Sequence, residues 1–587
     1  MATWYEIRKG GDFVALGEKY HINPVIARLL INRDIKEADF ASFLRCEENY
    51  IHSPKEMLGM EEGVDIIIAA IDEKKKIRVI GDYDIDGINS TYVLYSGIKR
   101  AGGDVSYAIP RRIEDGYGIN PEMVETAYEE GVRVIITCDN GIAAFPAVEK
   151  AKELGMTIVV TDHHQIPFDM VDEKKVERLV PADAVVDPHQ SEDTYAFPEI
   201  CGGMVAWKFV TLLYEKCGIS PSESEAFIEN AAFATVGDIM PLIDENRIVV
   251  KHGLTAMAKT KNIGLRALIR QCGLEGNPIS AYHLGFVLGP CFNASGRLET
   301  ADMAMELLLE TDEGQATKKA GELVSINEER KAMTKQGDAE ALRLMEENHL
   351  DEDDVLVLYV PDLHESLCGL VAGHIKEKFY RPTFVLSDGA DCVKGSGRSI
   401  EAYSMFDKMN ECKELLLKFG GHPMAAGLSL QKENVDAFRK ALNEKANLSK
   451  EDLTPAFYFD MQLPLSYLQS HEDLMEELDN LEPFGNGNKK PSFAVSKVPI
   501  LGMTYIGKEK QYLKFSFGTD SGKIDGLFFG DSGKLVEELK EKFSEESVEK
   551  ALSFRANDMA ISLAYYPQIN EFRGRKSVQI IIEDYLL

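Results

Sequence analysis

Asp82, Asp84 and Asp86 alternate in the segment Gly81-Asp82-Tyr83-Asp84-Ile85-Asp86-Gly87, directly behind the apolar run KIRVI. Three carboxylates so spaced repel one another unless a cation or hydrogen-bond donors offset them. Two more polar clusters end apolar runs in the same way: Cys138-Asp139-Asn140-Gly141 behind VRVIIT, and Thr161-Asp162-His163-His164 behind MTIVV. A further acid, Asp238 in ATVGDIMPL, would be costly to bury alone. Carboxylate oxygens with an imidazole suit manganese or magnesium, whereas structural zinc prefers cysteine-rich sets. A pair of such ions points to phosphoryl hydrolysis. The D-x-D-x-D-G string also opens like a calcium EF-hand loop, but Val93 occupies the twelfth position, where a bidentate Glu is required, and a strand precedes it. Each cluster alone is equally a solvated turn or a helix cap; recurrence behind three strands favours one shared site.

Those clusters need a scaffold that brings strand ends together. From Lys76 to about Asp187, β-branched runs alternate with helical patterns, which predicts a parallel sheet with crossover helices and a ligand crevice outside the carboxyl ends of its strands. Cys201 to Leu309 reads as largely helical, and Thr311 to His349 as one charged connecting helix. A second α/β pattern runs from DVLVLYVP to GGHPMAAGLSL, and the short strands after LEPFGNGNKKPSF suggest a small β-barrel. The expected fold is α/β, with a parallel-sheet lobe in residues 1–310, a connecting helix in 311–349, a second α/β lobe in 350–445 and a C-terminal barrel in 446–587.

Composition narrows the possibilities. The 587 residues carry 97 acidic and 65 basic side chains, a net charge of −32, with 44% hydrophobic and 28% charged residues, which describes a multidomain globular chain. No apolar stretch approaches the roughly 18 residues of a membrane span, and MATWYEIRKGG lacks a signal-peptide pattern, so a cytoplasmic protein without a membrane partner is expected. The nine cysteines include no C-x-x-C pair and read as reduced thiols. So acidic a chain repels polyanions in general; a nucleic-acid substrate would require metal ions or a locally basic groove.

Candidate groove residues are few. GPCFNASGRL places Asn293, Ser295, Gly296 and Arg297 in an expected turn, and VKGSGRSI offers Lys394, Ser396, Gly397 and Arg398 in an expected loop, either a phosphate-cradling nest or a plain glycine turn. Arg111 and Arg112, with Tyr117 nearby, could face the same opening. In the barrel, Lys508, Lys510, Tyr512 and Lys514 alternate charge with an aromatic ring, a pattern of single-strand binding and equally of any half-buried strand.

GDYDIDG, CDNG, TDHH and TVGD, in that order, resemble the four motifs of the DHH phosphoesterase superfamily. PRRIEDGYGIN, GPCFNASGRL, KGSGRSI, GGHPMAAGL and LEPFGNGN extend the resemblance to its single-stranded-DNA-specific exonucleases over nearly the whole chain. That resemblance implies a DHH lobe, a DHH-associated lobe and an OB-fold. It implies a site for two Mn2+ or Mg2+ ions made of Asp82, Asp84, Asp86, Asp139, His163 and Asp238, with Asp139 bridging and His164 facing the phosphate. It further implies that Arg297 and Arg398 hold a 5′ phosphate, and that Gly420-Gly421-His422 brings His422 to the substrate. The activity implied is 5′-to-3′ hydrolysis of single-stranded DNA in recombination and repair, by a monomer supplied by a single-stranded-DNA-binding protein or a helicase. The alternatives are a phosphodiesterase for short oligoribonucleotides or cyclic dinucleotides, and a catalytically silent replication scaffold. One departure stands out: where the family pattern has Trp-His, this chain reads Leu363-His364, so altered packing or substrate grip is expected there.

Overall fold

The computed structural model describes residues 2–112, 114–171, 174–471, 473–572 and 574–587. Two compact units divide the chain, one of residues 51–240 and 245–455, the other of residues 2–50, 241–244 and 456–587.

In the first unit, β1 (Lys76–Ile80), β2 (Asp104–Ala108), β3 (Val134–Cys138), β4 (Thr157–Thr161) and β5 (Ala184–Val186) form a wholly parallel sheet in the order β2-β1-β3-β4-β5. Val79, Ile80, Ile135, Ile136, Ile158 and Val159 are fully buried in successive positions, as a sheet covered on both faces requires. Strand order reverses between β1 and β3, so the chain leaves their carboxyl ends in opposite directions and a crevice opens there. Helix α1 (Ile85–Arg100) follows β1 and crosses α2 (Gly202–Lys216) closely: a Cβ on Gly97 would lie 2.4 Å from Val210. Helices α3 (Ile228–Gly237) and α4 (Gly289–Leu298) complete this lobe.

The 35-residue helix α5 (Glu313–Glu347) is charged except for a stripe at helical spacing. Ala316, Ala320 and Leu323 on that stripe enter the core of the first lobe, and Ala341 and Met345 the core of the second. The second lobe is a five-stranded sheet of β6 (Leu356–Tyr359), β7 (Thr383–Asp388), β8 (Val393–Arg398), β9 (Leu416–Gly421) and β10 (Ala425–Leu430), ordered β9-β10-β8-β7-β6, with α6 (Cys368–Phe379) packed on it.

Two local expectations are corrected. KGSGR is not a loop: it forms β8, hydrogen-bonded on both edges. Its glycines make room for neighbours, since a Cβ on Gly395 would stand 2.3 Å from Leu386 and one on Gly397 2.4 Å from Met405. Likewise GPCFNASGRL is not a turn but helix α4, with Pro290 in its first turn, where a missing N–H costs nothing.

The second unit is built on a closed barrel of β11 (Phe493–Ile506), β12 (Tyr512–Thr519), β13 (Gly522–Phe528), β14 (Ala560–Phe572) and β15 (Arg575–Leu586), sealed by pairing of β11 with β14. The N-terminal residues belong here and not with the first lobe, as the 1–310 boundary had it. Thr3–Glu6 pairs in parallel with Ala456–Phe459, Asn32 donates to the Asp460 carbonyl at 3.0 Å, and Val25, Ile26, Leu29 and Leu30 share the barrel-side core.

Candidate metal centre and phosphate grip

The acidic clusters converge at the β1/β3 switch point. Asp84 caps α1, accepting from the backbone N–H groups of Asp86 and Gly87 at 3.0 and 3.1 Å. Asp86, on the first turn of that helix, is fully buried and accepts from Gly202 and Gly203 N–H, each at 2.7 Å, at the electropositive start of α2. Gly202 is required on steric grounds, because a Cβ there would lie 2.7 Å from Asp139 Cβ. Asp139 leaves β3 in the left-handed region, φ 60°, which turns its carboxylate toward β4. There His163 Nε2 lies 3.1 Å from Asp139 Oδ1, 3.5 Å from Asp86 Oδ2 and 3.7 Å from Asp238 Oδ2.

So many acids in one crevice hold one another's protons. Burial, then the charge of Asp84, pushes Asp82 up to about 8; burial, then Asp86 and Asp84, pushes Asp238 up to about 8; burial lifts Asp139 well above the carboxylate range, reinforced by Asp86. Burial opposes a charge on His164, but its 2.7 Å hydrogen bond with Asp162 prevails and lifts it to about 9.

The residues present fit a divalent ion pair. Asp82 is buried, one of its oxygens accepts from Gly118 N–H at 3.2 Å, and the other has no hydrogen-bond partner. A buried carboxylate oxygen left unpaired is costly unless a cation completes it. Ligand atoms of Asp82, Asp84 and Asp139 lie within 4.8 Å of one another, as do those of Asp86, His163 and Asp238, and those of Asp139, His163 and His164. All six expected ligands, together with His164, therefore fall in one place.

Two positioning residues were missed as such in the sequence. Asp162 aims His164 and also accepts from Ile142 and His163 N–H; Tyr117 donates to the Asp139 carbonyl at 2.9 Å and meets His164 Nε2 at 3.1 Å. Asp162 was legible only as the second letter of TDHH.

Beside the acids stands a group of arginines. Asn293 on α4 accepts from Ile85 N–H at 3.0 Å and so ties that helix to the acidic loop, while Gly296 packs under the Tyr83 carbonyl. Arg297, at the helix end, donates to the Ser366 carbonyl at 2.8 Å. Burial, with the like charges of Arg112, Arg330 and Arg398, holds it down to about 10. Arg398 is lowered too, by burial and then Arg112, and Arg112 lies over the Tyr83 ring at 5.1 Å. Among the described residues none of Arg112, Arg297 and Arg398 forms an ion pair with Asp or Glu. Of the Arg111–Arg112 pair, Arg111 turns outward to Glu114 at 2.7 Å, so it is Arg112 that joins this group. Ser396 and Gly397 precede Arg398 on β8. Gly421 and His422 lie exposed at the β9–β10 turn. Tyr512 packs edge-on against Phe529, and Lys514 pairs with Asp525 at 2.7 Å on the barrel exterior. Leu363 packs against Gly337 of α5 and borders a cavity of about 460 Å³, lined also by Met333, Gln336, Arg343 and His364.

A switch-point cluster of carboxylates and histidine in a parallel lobe, joined by a long helix to a second α/β lobe, defines a phosphoesterase of the DHH class. Models of the DHH family N-terminal domain, the DHHA1 domain and the RecJ OB domain match residues 76–235, 352–448 and 459–584. The chain belongs to the RecJ family. It is 34% identical to the single-stranded-DNA-specific exonuclease RecJ of Bacillus subtilis (97% of this chain, 69% of the relative) and 31% identical to that of Escherichia coli (96% and 95%). The crystal structure of Thermus thermophilus RecJ in complex with Mn2+ superposes with a TM-score of 0.81 at 25% identity, covering all of this chain and 79% of that one. A further structure, exonuclease RecJ bound to manganese, gives a TM-score of 0.58 at 30% identity, covering 68% and 98%.

Proposed function

We propose that this protein is a metal-dependent exonuclease that removes nucleotides from the 5′ end of single-stranded DNA in recombination and repair. One observation carries the reading: a crevice able to hold two divalent ions adjoins three arginines that, among the described residues, pair with no acid. Asp82, Asp84, Asp86, Asp139, His163 and Asp238 would hold Mn2+ or Mg2+. When bound, such ions activate a water for in-line attack and neutralise charge on the phosphate. The protein supplies the rest. Arg297 and Arg398, with Ser396 and Gly397, grip the terminal phosphate; Asn293 fixes α4 against the acidic loop; and Asp162 orients His164 toward the phosphate. Gly421, His422 and Arg111 would add contacts to the strand, and Tyr512 and Lys514 would give the barrel a single-strand contact of its own.

No described helix is long and apolar enough to cross a membrane. The proposed enzyme acts in the cytoplasm as a monomer. A single-stranded-DNA-binding protein or a helicase is the partner that would present the strand, testable by pull-down.

The deciding experiment digests one oligonucleotide, labelled at either end, as single strand, duplex and RNA, with Mn2+ and an Asp139→Ala control. Stepwise release from the 5′ end of single-stranded DNA alone is expected. Cleavage of short RNA or a cyclic dinucleotide instead would replace this reading with the phosphodiesterase one.

A further inference from the structure

We propose that Tyr282 and Phe286 form a stacking platform for the bases of the strand on the 3′ side of the bond being cut, an inference that rests on the exonuclease reading above. The two rings are 64% and 69% exposed and already stack on each other, with centroids 5.1 Å apart and planes inclined by 25°. Four residues apart, they share one helical face, and His283 adds an edge-on ring against Tyr282. Large aromatic side chains held in water in this way mark a surface made for a partner.

The partner is identified by what the same helical rod carries further on. A π-helical turn, Leu284–Leu288, joins Tyr282 to α4 without a break. Its Gly285 lies against Val236, two residues before Asp238, and Gly289 lies against Ile85, between Asp84 and Asp86. Asn293 then bonds Ile85 N–H, Gly296 touches the Tyr83 carbonyl and Arg297 ends the helix. The rod thus places aromatic rings at one end, the phosphate-gripping arginine at the other and the acidic crevice between. From Phe286 to Arg297 is about 16 Å at 1.5 Å per residue, the span of a few nucleotides. With the 5′ phosphate at Arg297, the rest of the strand leaves past the acids toward the rings.

Stacking is also the contact that a chain of net charge −32 can offer without electrostatic attraction, since every base has a π face. A protein partner would not need the rings to share a rod with the acids and Arg297.

The test compares wild type with Tyr282→Ala/Phe286→Ala on a 12-nucleotide strand, intact or abasic at positions 2 to 6. The double variant should lose about tenfold or more in kcat/KM on the intact strand. Wild type should lose a similar factor on the abasic strand, and the variant should lose little more there. The slope of log KM against log salt should not change, because no phosphate contact is removed. The conservative Tyr282→Phe/Phe286→Tyr pair should retain activity. Equal rates for wild type and the alanine variant on the intact strand, or losses that multiply on the abasic one, would overturn the platform. Inactivity of wild type on the intact strand would overturn the exonuclease reading and the platform with it.

Discussion

His163 Nε2 stands 3.1 Å from Asp139 Oδ1, and Asp139 reaches that position only by adopting left-handed backbone directly after its strand. The same imidazole nitrogen faces Asp86 and Asp238, so Asp139 sits at the centre of a cluster whose charges oppose one another without a cation.

Asp139→Asn should therefore act in opposite directions on the empty and loaded protein. In chelator, losing a buried carboxylate from among like charges should raise Tm. With Mn2+ added, the rise in Tm shown by wild type should shrink or vanish, because ligand binding to the folded state is what raises it. Turnover should fall at least about a thousandfold, as expected when an interaction worth several kcal/mol is removed from the transition state. Thermal scans with and without Mn2+ check this, and a variant less stable than wild type in chelator would contradict the charge argument.

Gly202 tests how tightly α2 is seated. A methyl group there would stand 2.7 Å from Asp139 Cβ and 3.0 Å from its Cα, too close to backbone for side-chain adjustment alone. Gly202→Ala should displace Asp139 or the N–H groups that hold Asp86. Displacements near 1 Å cost about a hundredfold in rate. The check is kcat together with calorimetric Mn2+ affinity; both should drop, and a normal value of either would show that the helix shifts harmlessly.

Arg398→Ala should raise KM for 5′-phosphorylated strands by about 10- to 100-fold, as loss of a hydrogen bond to a charged group implies, and erase any preference over 5′-hydroxyl strands. Because Arg398 is partly buried beside Arg112 and pairs with no acid among the described residues, its removal should not lower Tm. Mn2+ affinity should match wild type.

The centre was legible in the sequence because its information is local. Asp82, Asp139 and Asp162 follow apolar strands by one or two residues and Asp84 and Asp86 come in the turn that opens the next helix, so a parallel sheet turns the spacing into convergence, while Asp238 arrives from the end of α3. KGSGR was misread as a loop for the opposite reason. Glycine usually signals a turn, yet Gly395 and Gly397 are required by Leu386, Phe384 and Met405, neighbours set by the tertiary fold. Nothing near Val25, Ile26 or Asn32 announces that they join a barrel more than 400 residues later. Nor does TDHH reveal that its Asp works by orienting the second His.

Glu229 gives a pH test well away from the metal ligands. It lies on the first turn of α3, is 6% exposed and accepts from the Thr260 hydroxyl at 2.7 Å. Burial pushes its carboxyl up to about 7, against the opposing hydrogen bond from Thr260. Between the ordinary carboxylate range near 4.5 and about 7, the folded protein therefore binds more protons than the unfolded chain. Stability from this group is intact below that window, falls as pH rises through it and is level above it. The full difference corresponds to about 3 kcal/mol. Glu229→Gln keeps the acceptor for Thr260 and removes the charge. It should match wild type near pH 4.5, gain progressively toward pH 7 and stay ahead by a constant margin at pH 8. Denaturant titrations of both proteins at pH 5, 6, 7 and 8 read this directly, and a difference that does not grow with pH would show that Glu229 is ionised at no cost where it lies.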